Sequence, residues 1–96
     1  MVDSDVIAVG WYNKEMWTRL KQIADDRDTM DATYDDWLKG WEKFVKNAKS
    51  TGATFIKIDV DTDQLAWWCQ SLGRRLDSSA RSAYVLSKAR AIQEAK

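Results

Sequence analysis

Residues 54–60 read Thr54-Phe55-Ile56-Lys57-Ile58-Asp59-Val60, and their alternation decides between an all-helical and a mixed fold. Thr54, Ile56, Ile58 and Val60 fall on one side and Phe55, Lys57 and Asp59 on the other, the period of a strand with one covered face. Upstream, Val6-Ile7-Ala8-Val9 is a second short apolar, β-branched run. It follows the polar Asp3-Ser4-Asp5, closes at Gly10 with Tyr12 as its furthest extent, and has the composition of a buried strand.

Helical signals occupy the rest of the chain. Asn13 is placed to cap a first helix from Lys14 to Asp26, in which Met16, Leu20, Ile23 and Ala24 share a face. The run Asp25-Asp26-Arg27-Asp28 ends it, because short acidic side chains compete for backbone hydrogen bonds. Met30 is expected to plug this loop onto the core. Thr33 caps a second helix with Asp35 and Asp36 in its first turn, where the helix dipole favours carboxylates. Its stripe is Trp37, Leu38, Trp41, Phe44, Val45 and Ala48, and Gly52 suits a left-handed terminus. Asp61 or Thr62 caps a third helix with Leu65, Trp68, Cys69 and Leu72 inward, stopped at Gly73, and Asp77 or Ser78 caps a fourth from Ser79 to Glu94.

The expected fold is therefore a single α+β domain over residues 1–96, ordered β-α-α-β-α-α, with four helices packed on a two-stranded sheet. If every short connection reverses the chain, the strands pair antiparallel. A strand followed by two helices occurs twice, so a pseudo-twofold repeat of a βαα unit fits that arrangement. Two strands leave two open edges, which either helices cover or a second molecule extends.

Composition removes several functions. The 96 residues contain no His and one Cys. Ser-His-Asp and Cys-His nucleophiles, HExxH zinc sites, C2H2 fingers and an internal disulfide are thereby excluded. No stretch of about eighteen apolar residues and no export signal is present, so the expected location is the cytoplasm and no membrane partner is expected. Glycine-rich phosphate loops, a GxSxG elbow and RNA-binding aromatic motifs are missing. No cofactor is implied, and the expected role is not enzymatic.

Three features carry what remains. The first is six tryptophans. Helical spacing assigns Trp37, Trp41 and Trp68 to the core, whereas Trp11, Trp17 and Trp67 are less easily absorbed. Trp67 lies at a helix edge beside Gln64 and Ser71 if Trp68 faces inward. The second is charge. Residues 1–63 hold nine basic and thirteen acidic side chains, giving −4, and residues 64–96 hold six and two, giving +4. Arg74, Arg75, Arg81, Lys88 and Arg90 could attract phosphate or nucleic acid, although zero net charge weakens that expectation. The third is the last helix, where Ala80, Ala83, Tyr84, Ser87 and Ala91 form one stripe and Val85, Ala89 and Ile92 another. One stripe can meet the domain while the other meets a second subunit.

Asp59, Asp61 and Asp63 alternate like the start of a calcium loop, but Gln64 and Gln70 stand where such a loop needs Gly and Glu. They serve as a weak candidate metal or catalytic cluster beside a helix cap. Cys69 sits among apolar residues, where a thiol acts as a small hydrophobe. The expected function is protein–protein interaction, with the chain self-associating as a homodimer or binding another protein through Trp17, Trp67, Tyr84, Val85, Ala89 and Ile92. Nucleic-acid binding is the alternative, and a small metal-dependent enzyme the third.

Overall fold

A computed structural model of the chain describes residues 6–94, so Asp3-Ser4-Asp5 lies outside the described residues. The order is β1 (Val6–Trp11), α1 (Lys14–Ile23), a 3-10 turn (Arg27–Thr29), α2 (Tyr34–Ser50), β2 (Thr54–Asp59), α3 (Thr62–Ser71) and α4 (Ser78–Glu94). The caps are the residues named above. Asn13 accepts from the Met16 N–H, Thr33 from Asp36, Asp61 from Asp63 and Gln64, and Asp77 from Ala80. α1 ends at Ile23 rather than Asp26, because Ala24 turns to extended backbone and Arg27–Thr29 form a separate turn.

The two strands are parallel, with Val6 opposite Thr54 and Trp11 opposite Asp59, which overturns the antiparallel expectation. A parallel pair needs a crossover that returns the chain to its starting end, and here α2 supplies it. The loop after α1 carries the chain back to the carboxyl end of β1. There the Lys21 ammonium donates to the carbonyls of Arg27, Met30 and Asp31. α2 then runs down β1, with Tyr34 beside Tyr12 and Trp41 beside Gly10. Gly52, at φ 85°, turns the chain into β2. The antiparallel expectation counted three reversals, one at each of the connections β1–α1, α1–α2 and α2–β2. The return after α1 instead sets α2 antiparallel to β1, so the turn at Gly52 brings β2 back parallel to β1.

α2 also closes one edge of the sheet. The Trp11 carbonyl accepts from the Val60 N–H, so by alternation the carbonyls of Gly10 and Tyr12 point outward. The Trp41 indole N–H donates to Gly10 at 3.1 Å and the Tyr34 hydroxyl to Tyr12 at 3.0 Å. Two side chains one heptad apart thus take the place of a neighbouring strand. Among the described residues no other strand pairs with β2, and its exposed Lys57 holds its ammonium 5.0 Å from the Trp11 ring centroid of β1.

α4 lies on the sheet face that carries Gly10, Ile56, Ile58 and Val60. A Cβ on Gly10 would stand 2.9 Å from the Val85 Cγ2, so the missing side chain sets the approach of helix to sheet. α1 and α3 pack together at the carboxyl ends of the strands, where the buried Thr62 hydroxyl donates to the Met16 carbonyl at 2.6 Å. The pseudo-twofold expectation falls with the antiparallel pair: α2 covers a strand edge, whereas α4 covers a sheet face. Trp11, Trp37 and Trp41 form a half-buried aromatic cluster, with ring centroids 5.5 Å and 4.8 Å from Trp11. Among the described residues no helix is long and apolar enough to cross a membrane.

Candidate interaction surface

α3 turns Thr62, Leu65 and Cys69 inward, and burial pushes the Cys69 thiol pKa up, which keeps it protonated. Successive residues on a helix point about 100° apart, so the neighbours Trp67 and Trp68 meet different surroundings. Trp68 is half-buried, with its ring against Tyr84 at 5.4 Å and 71°. Trp67 points away and is 69% exposed.

A groove of about 460 Å³ runs between α3 and α4 beside Trp67, with Trp68, Tyr84, Ser87, Lys88 and Ala91 on its walls. A second hollow of about 460 Å³ lies on the outer side of α4 and shares Ser87 and Ala91, adding Leu86 and Arg90. Cations sit over the aromatic walls. The Lys88 ammonium is 5.5 Å from the Tyr84 ring centroid, and the Arg74 guanidinium is 5.8 Å from that of Trp68.

The six side chains expected at a partner contact separate sharply. Trp17, at 5% exposure, and Tyr84, at 4%, lie in the core with Val85 and Ala89. The two stripes of α4 have merged there into one buried face of Ala80, Tyr84, Val85 and Ala89. Trp67 and Ile92 lie on the surface. The basic residues do not form one patch either. Arg74, Arg75, Lys88 and Arg90 are exposed, whereas Arg81 is held by Asp26 through two hydrogen bonds of 2.8 Å. This pair lines a separate 280 Å³ cleft with Tyr12 and Trp37. Hydrogen bonds from Arg81 hold the Asp26 carboxyl below the usual range, and burial pushes the Tyr12 pKa up to about 12. The Trp17 indole N–H is buried beside this cleft without a hydrogen-bond partner among the described residues.

The acidic triplet is divided among separate tasks. Asp61 caps α3, Asp63 pairs with Arg19 at 3.0 Å, and Asp59 is exposed at the end of β2. Among the described residues no group of three His, Cys, Asp or Glu could hold a metal ion. The Asp26–Arg81 pair escaped sequence reasoning because local pattern explained each member differently, Asp26 as a turn former and Arg81 as one of a basic group.

No protein-family model, curated protein or solved structure matches this chain.

Proposed function

We propose that this chain is a cytoplasmic protein-interaction module rather than a catalyst, and that it works through the α3–α4 groove centred on Trp67. The observation that carries this reading is the exposure of Trp67, at 69%, beside a groove whose walls are also aromatic. An indole left in water is a large apolar area with few rotamers to freeze, the kind of residue that anchors interfaces. Ser87 and Ala91 on the α4 wall are small, so a partner's backbone can approach closely. One buried thiol in place of a disulfide suits a reducing compartment.

Selection from a random peptide library tests the proposal. Binders should be enriched on the wild-type protein and should lose about tenfold or more in affinity on Trp67→Ala. The fold should be unchanged by circular dichroism, since the side chain stands mostly in water. No enrichment, or equal binding by Trp67→Ala, contradicts the proposal.

A further inference from the structure

We infer that the occupant of the Trp67 groove is an acidic polypeptide segment of another protein, with an apolar side chain beside Trp67 and carboxylates facing Lys88 and Arg90. This rests on the interaction reading above and adds the partner's chemistry to it. Two ion pairs occur among the described residues, Arg19–Asp63 and Arg81–Asp26, and neither includes a cation of the groove. Lys88 lines the groove and Arg90 the adjoining hollow, and among the described residues no carboxylate lines either. Asp63, one turn before Trp67 on α3, is already held by Arg19 at 3.0 Å. Apolar area and cations that form no ion pair among the described residues therefore lie side by side, and an acidic amphipathic segment satisfies both.

A second copy of the chain fits this surface less well. A twofold interface sets the same patch against itself, which gathers Lys88 and Arg90 of both copies with no acid among the described residues that line it. A nucleic acid would satisfy the cations, but strand binding uses several aromatic platforms for successive bases. Lys88 and Arg74 already cover Tyr84 and Trp68, which leaves Trp67 as the free ring of this groove.

The same library supplies the test. Peptides that require Trp67 should be enriched in Asp and Glu over the unselected pool and should bind more weakly as salt is added. The double variant Lys88→Glu, Arg90→Glu changes exposed side chains, and it should weaken those peptides about tenfold or more while remaining folded. Trp67-dependent peptides with no acidic bias would overturn this inference and leave the interaction reading standing, whereas an absence of Trp67-dependent binders would overturn both. A dimer in sedimentation velocity that Trp67→Ala dissociates would replace the acidic partner with a second copy. Binding of a single-stranded oligonucleotide that Trp67→Ala abolishes would replace it with nucleic acid.

Discussion

Asp26 receives both terminal nitrogens of Arg81 at 2.8 Å, across 55 residues of chain. Beside it, the Asp25 N–H donates to the Leu76 carbonyl at 2.8 Å and the Leu76 N–H donates back to the Asp25 carboxylate at 2.7 Å. These four bonds pin the turn after α1 to the start of α4. None of the four uses a side chain that lines the Trp67 groove.

Replacing Asp26 with Ala should therefore cost about 2 kcal/mol, between the small value of a surface pair and the larger one of a buried pair. The hydrogen bonds from Arg81 lower the folded Asp26 pKa below its ordinary 3.8. Its stabilisation is thus present above that value and lost as pH falls through the folded one. Urea unfolding of wild type and Asp26→Asn should show the two stabilities converging in acid.

Tyr12 has the opposite sign, because burial raises its pKa from 10.0 to about 12. Its neutral form contributes stability that is fully present below 10.0 and lost as pH rises through about 12. Thermal melts of Tyr12→Phe should lose less stability over this alkaline range than wild type. Equal losses would show that Tyr12 titrates freely.

Two glycines make a paired test of packing against propensity. Gly10→Ala forces a methyl to 2.9 Å from the stiff Val85 side chain and should cost about 1–3 kcal/mol. Gly40 lies inside α2 with nothing within 4 Å of an added Cβ, so Gly40→Ala should stabilise by about 1 kcal/mol through helix propensity alone. Chemical denaturation of the two variants should move the midpoint in opposite directions.

Trp41→Phe keeps the aromatic ring and removes the indole donor to Gly10. The outward carbonyl of β1 loses its partner, and the variant should be less stable by about 1 kcal/mol. An unchanged denaturation midpoint would show that the bond at 3.1 Å contributes nothing to closing this edge.

What was legible in the sequence is what local physics decides. The caps Asn13, Thr33, Asp61 and Asp77 act within three residues of themselves, and the alternation of Thr54–Asp59 marks the strand without further context. Strand direction was not legible, because it depends on how Lys21 gathers the carbonyls of the loop before α2. The tryptophans divide in the same way. Trp17 is absorbed by the core through Tyr34, whose ring meets it at 6.0 Å, and that contact depends on where α2 lies. Trp67 stands on the far side of a helix whose inward stripe Leu65 and Cys69 already define. Its place at a helix edge was readable, and its exposure required the packing of α3 against α4.

The most direct measurement is amide and indole chemical-shift mapping by NMR with the strongest library-selected peptide. Perturbations should concentrate on residues 64–70 and 84–91 and include the Trp67 indole N–H. Shifts centred instead on the Arg81 cleft or the outer edge of β2, with the Trp67 indole unmoved, would contradict the assignment of the groove as the working surface.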